Sequence, residues 1–141
     1  MIVSDTIEIA APADLVWRVT TDVEQWPEWT PTVTSVRLLG DGPLRLGAAA
    51  AIKQPLQPVS VWTVVEYEAG RRFVWVTHRT GLSFRGTHDL AAAGHGTRST
   101  LTVEATGLLA LLLWPVLRSA MMKALRDENA GLKRKCEMET A

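Results

Sequence analysis

From residue 32 to residue 106 the chain alternates short runs rich in Val, Thr, Trp and Phe with turn residues, and after Gly107 the period changes to that of one long helix. That order is the strongest constraint on the fold. Extended runs at such short intervals favour antiparallel sheet, and the helix that follows must bury one stripe against it. Six strands fit: TVTSVRLLG, LGAAAAIKQ, VSVWTVVEYE, RFVWVTHRT, LSFRGTHDLA and TRSTLTVEAT, separated by GDGP, PLQP, AGR, TG and AAGHG. The second run is the weakest, because four consecutive alanines also suit a helix. Gly47 and Pro55 leave too little length for one, so it reads as a strand.

Ahead of these runs, VSDTIEI puts Val3, Ile7 and Ile9 on one parity and Ser4, Thr6 and Glu8 on the other, the period of a half-buried first strand. Pro12 suits a first helical turn, Asp14 complements the helix dipole, and Leu15, Val16, Val19 and Val23 recur at helical spacing. Pro27 and Pro31 then limit the chain to one more turn of helix. In the C-terminal helix Trp114, Leu117, Met121, Leu125, Glu128, Leu132 and Cys136 share one stripe. The expected fold is α+β: a curved, seven-stranded antiparallel sheet wrapped around a long C-terminal helix, with two short helices after the first strand. Residues 1–141 are expected to form one domain, with space for an apolar ligand between sheet and helix.

Composition excludes several function classes. Fifteen basic residues balance fifteen acidic ones, so no global field favours nucleic acid or an anionic surface. The single Cys136 cannot form an internal disulfide, and the N-terminus lacks a basic region before an apolar stretch; a cytoplasmic protein is expected. LLALLLWPVL spans ten residues and contains Pro115, too short for a bilayer, so no stable membrane insertion is expected. Because Pro115 removes the helical hydrogen bond to Leu111, residues 108–113 are expected to form a semi-independent gate over the cavity mouth. His78, His88 and His95 have no partners at metal-ligand spacing, and no phosphate loop or nucleophile motif is present. Neither metal nor cofactor is expected.

The segments IEIAAPADLVWRVTTDVEQWPEWTPTVTSVRLL, VVEYEAGRRFVWV, GTHDL and GHGTRSTLTVEATG together resemble the START, pollen-allergen and polyketide cyclase/dehydrase superfamily (SRPBCC, the helix-grip fold). The resemblance covers nearly the whole chain. Its opening pattern, an apolar-Trp pair in the first helix, then Asp22 and WPEW, resembles the bacterial polyketide cyclase/dehydrase-like branch. The resemblance implies that the two short helices lie under the open end of the sheet, where the tryptophan motif closes a cavity. Trp26 and Trp29 would then be wall residues, Trp26 read as core ahead of ligand contact and Trp29 standing between the two.

His88 shares parity with Phe84 and Leu90, so it points inward if they do. It then either forms a buried hydrogen bond or meets a ligand, and it is the one candidate catalytic residue. In RFVWVTHRT both parities are apolar. The aromatic parity of Phe73 and Trp75, which carries Arg79, is favoured for the cavity over Val74, Val76 and His78. Glu128 lies on the apolar helix stripe, where a carboxylate sits either at a wet rim or as a polar group in the cavity.

Trp29, Trp62, Trp75, Phe84, Met121 and Leu125, with Arg79, His88 and Glu128, form the candidate ligand site. The leading function is binding of a small hydrophobic ligand, aromatic, polyketide-like or lipid/isoprenoid, by a monomer or homodimer without nucleic-acid partners. The alternative is a polyketide cyclase, aromatase or dehydrase in which His88 moves a proton in the same cavity. A third class, partner binding or lipid presentation, would use the apolar start of the last helix.

Overall fold

A computed structural model describes residues 1–140. Strand β1 (Ile2–Ile9) leads to helix α1 (Ala13–Thr21) and a turn of 3-10 helix (Val23–Glu28) that contains Pro27. Six strands follow: β2 (Ser35–Leu39), β3 (Ala49–Lys53), β4 (Ser60–Glu68), β5 (Arg72–Arg79), β6 (Leu82–Ala93) and β7 (Gly96–Thr106). Helix α2 (Leu108–Thr140) follows β7.

The sheet order is β1-β7-β6-β5-β4-β3-β2, with every neighbouring pair antiparallel. Strands β2 to β7 form a meander. The first strand is carried to the opposite edge by α1 and the 3-10 turn and pairs with the last. A register shift between Val64 and Glu66 adds an extra residue to β4, a device that bends a strand and increases its twist.

Helix α2 packs mainly on β1, β7, β6 and α1. Its buried stripe is held by Leu125, Leu132 and Cys136, as the spacing predicts. The main core joins Val16, Val23, Trp26, Trp29, Phe73, Trp75, Leu132 and Cys136, while a smaller cluster joins Val3, Leu101 and Leu125 with Trp114 and Met121.

A polar pin fixes the helix against the sheet. Asn129 is fully buried; its amide nitrogen donates to the Asp5 carbonyl at 3.1 Å and carboxylate at 2.8 Å, and its oxygen accepts from the Ser99 hydroxyl at 2.9 Å. All of the side-chain amide's direct partners lie on β1 and β7, so the bonds select one axial position for α2. Close approach does the same about half a turn away. A Cβ on Gly131 would fall 2.0 Å from the Trp29 carbonyl oxygen, so only glycine lets α2 lie on the end of the WPEW segment.

The expected gate is not a separate segment. Residues 108–113 are the first turns of a helix that continues through Pro115 to Thr140. The start is anchored, since the Leu109 amide donates to the Gly81 carbonyl at 2.9 Å, the Leu111 amide to the Gly107 carbonyl at 3.1 Å, and Ala110 is completely buried. Gly107, at a φ of 107°, makes the turn from β7 possible, and a Cβ there would meet the Gly81 carbonyl oxygen at 2.4 Å. Proline leaves the Leu111 carbonyl without its helical partner, but Leu111 is exposed and water can replace that bond.

Candidate functional site

Between the sheet and α2 lies a mostly apolar cavity of about 250 Å³. Strands β5 and β6 supply much of its wall. Cross-strand pairing sets Phe73 against His88, Trp75 against Gly86, Thr77 against Phe84 and Arg79 against Leu82. Trp75, Thr77 and Arg79 line the void whereas His78 is exposed, so the aromatic parity faces inward. Gly86 makes room for the indoles: a Cβ there would lie 3.3 Å from Trp75 and 3.6 Å from Trp62. Leu117, Ala120, Met121, Ala124, Leu125 and Glu128 face the sheet from α2.

The two ends of the cavity differ. At the β5–β6 turn the lining is polar, with Gln54, Gln57, Ser60, Thr77 and Arg79, and exposed Gln57 and Ala120 bring solvent to this end. Arg79 donates to the Ser60 hydroxyl and, at 3.3 Å, to the Pro58 carbonyl. His88 lies six residues past Leu82, about 20 Å farther along β6. There it stacks on Phe73 with ring centroids 4.4 Å apart and an 8° tilt, and meets Trp26 at 5.3 Å and Trp75 at 5.8 Å. Its ring nitrogens have no hydrogen-bond partner among the described residues. Burial alone pulls its pKa from 6.5 to about 3, so it is neutral over the physiological range.

Glu128 is a cavity residue rather than a rim residue. Its Oε1 is enclosed without a partner among the described residues, and desolvation pushes the carboxyl from 4.5 up to about 8. At neutral pH the acid is predominantly protonated and can donate a hydrogen bond. The Trp62 indole nitrogen is a second enclosed donor without a partner. Such groups each cost about 1 to 3 kcal/mol when left unpaired.

The structure brings Trp62, Trp75, Arg79, Phe84, His88, Met121, Leu125 and Glu128 around one void. Trp29 is the exception. It packs against Gly131 and borders a separate charged cleft with Arg18, Asp22, Gln25, Glu28, Lys135 and Glu139. Trp26 takes the wall position instead, its indole nitrogen held by the Thr20 carbonyl at 3.1 Å. Sequence reasoning also missed Gly86, Ser60, Gln54 and Ala124. The parity shared by Phe84, Gly86 and His88 carried the signal for Gly86, whereas Gln54 follows the end of a strand and left none.

Cys136 is no nucleophile for this site, being outside the lining and having a thiol raised to about 11 by burial first and nearby carboxylates second. Among the described residues no group of three or more His, Cys, Asp or Glu side chains could hold a metal ion.

Residues 1–137 match the family described as polyketide cyclase / dehydrase and lipid transport. No curated protein matches the sequence. Solved structures share the fold at low identity. A START superfamily protein from Mycobacterium smegmatis superposes with a TM-score of 0.77 at 16% identity, covering 97% of both chains. A hypothetical protein from Helicobacter pylori gives 0.85 at 14%, over 96% of this chain and 88% of that one. The di-domain ARO/CYC StfQ from the steffimycin biosynthetic pathway gives 0.81 at 14%, over 99% of this chain and 51% of its own. At these identities the structural likeness establishes the helix-grip architecture, and the match along the sequence establishes descent: the chain belongs to the polyketide cyclase/dehydrase and lipid transport family.

Proposed function

We propose that this protein binds a small hydrophobic ligand, of aromatic, polyketide-like or isoprenoid character, in the cavity between sheet and α2. The observation that carries the reading is an apolar void with unpartnered polar atoms at fixed places in its wall. Trp26, Trp62, Trp75 and Phe84 offer flat faces to a conjugated ligand. Protonated Glu128 and the Trp62 indole would donate to its carbonyl or hydroxyl oxygens, and Arg79 would meet an oxygen at the solvent end. Tryptophan fluorescence titrated with 1-naphthol and with a short isoprenoid alcohol should change saturably. Absence of any response across both chemical classes would remove this reading.

The second reading is cyclisation or dehydration of a polyketide-like chain, favoured by the protonation state of Glu128. A carboxyl with a pKa about 8 is matched to proton donation at neutral pH. His88, with a pKa about 3, is a poor general base and serves better as a neutral wall and hydrogen-bonding group. Acid catalysis would therefore rest on Glu128 and not on His88. Product analysis of a poly-β-ketone analogue decides: turnover lost in Glu128→Gln but retained in His88→Phe supports catalysis, and no turnover by the wild type leaves binding alone.

A further inference from the structure

The open end of the cavity is surrounded by apolar side chains that nothing in the fold covers. On α2, Leu108, Leu109, Leu111, Leu112, Leu113 and Val116 are exposed, Leu112 at 66% and Val116 at 73%. Beside them the β3–β4 loop holds out Leu56, fully exposed and at a φ of 62°, and Val59. Leu56 is the one non-glycine residue with positive φ among the described residues, a conformation that disfavours a branched side chain. The three segments meet at one place. Leu109 packs on Gly81 in the β5–β6 turn, and Arg79 from the same turn bonds to Pro58 and Ser60 of the loop.

From these features we infer that this end of the molecule docks on an anionic phospholipid bilayer, with residues 108–116 lying in the interface. Helix geometry argues for lipid over a protein partner. At about 100° per residue, the exposed apolar positions from Leu111 round to Leu113 cover about 200° of the circumference, leaving only Leu117, Ala110 and Trp114 towards the protein. A partner's groove receives a narrower stripe, whereas lipid can surround a helix on all its free sides.

Charge completes the match. Residues 53–60, 77–84 and 106–118, which build this end, include Lys53, Arg79 and Arg118 and no acidic residue, although the whole chain is neutral. Cations around an apolar tip suit anionic headgroups. By length and composition α2 could cross a bilayer, but its second half is packed on the sheet through Asn129, Leu132 and Cys136. Only the first half is free. Nine residues reach about 13 Å, the scale of interfacial insertion rather than spanning. The contact is peripheral and reversible.

Co-sedimentation with vesicles tests the inference on the full chain. Wild type should partition onto phosphatidylcholine vesicles containing phosphatidylglycerol, more weakly onto phosphatidylcholine alone, and less at high salt. Leu112→Glu with Val116→Glu should reduce partition at least about tenfold, and Arg118→Glu should weaken the preference for the anionic lipid. These positions are exposed, and an unchanged near-ultraviolet spectrum would verify folding. Failure of the wild type to bind vesicles, or equal binding by the Leu112/Val116 variant, overturns the inference. So does a wild-type dimer that the same variant turns into a monomer without vesicle uptake, because a second copy would then be the occupant. The cavity reading is separable: 1-naphthol binding without vesicles should be the same in wild type and variant whatever the vesicle result.

Discussion

The two halves of α2 differ in apolar content and, in the opposite sense, in burial. From Leu125 to Cys136 the helix presents a narrow apolar stripe and a single asparagine, and these are buried against the sheet and the WPEW turn. From residue 108 to 116 nearly every side chain is apolar, and most are exposed. Hydrophobic content therefore does not report burial. What separates the halves is the surface opposite them: the second half meets Gly131's close contact and the Asn129 bonds, while the first extends past the end of the sheet, held only at Ala110, Leu109 and Trp114.

The largest expected difference is in the response to truncation. Leu132→Ala should destabilise the fold by about 2 to 5 kcal/mol, because it opens a cavity in the main core. Leu112→Ala should stay within about 0.5 kcal/mol, since its side chain is already in water. Urea denaturation of both variants measures this, and a similar loss for each would show the first half to be as tightly packed as the second.

Stability against pH should isolate the cavity groups at the boundary between the halves. Glu128 has a raised folded pKa, so its contribution is present below 4.5 and lost as pH rises to about 8. His88 has a lowered one, so its contribution is present above 6.5 and lost as pH falls to about 3. Between pH 4.5 and 6.5 the two slopes oppose each other. Stability from these groups should be level there and fall by about 2 kcal/mol from pH 6.5 to 8, at about 1.4 kcal/mol per unit. Glu128→Gln should remove that alkaline decline and leave the acidic one; a decline that persists would place its cause elsewhere.

The smallest expected effect is local. Amide hydrogens of residues 108–113 should exchange faster than those of residues 125–132, because the first turns fray into solvent while the second set is buried. Equal protection would mean that something covers the first half in solution.

The sequence already displayed the strands, the helix stripe and most of the cavity wall, because each follows from a period of two or of three to four. Trp75 and Arg79 required a choice between two apolar parities, and aromatic content pointed to the right one. Trp29 was misplaced for a physical reason: it lies in a turn, where no period defines a direction, and its position depends on the glycine it meets 102 residues later at Gly131. Glu128 was visible as an exception on the stripe, but its enclosure depends on the strands opposite. Asn129 gave no signal, since its partners Asp5 and Ser99 are distant in the chain. Pro115 suggested a break because proline's local cost was weighed without the anchors at Gly81 and Gly107 that hold the first turn.

The central claim is that ligands enter the void between β5, β6 and α2, and the six tryptophans provide site-specific reporters of it. The most direct measurement is the nitrogen–proton correlation spectrum of the indole groups during titration with 1-naphthol in vesicle-free buffer. The account predicts saturable shifts for Trp26, Trp62 and Trp75, which line the cavity, with Trp17 and Trp29 unmoved. Shifts confined to Trp114 beside the exposed tip, or no saturable shift at Trp62 and Trp75, would contradict it.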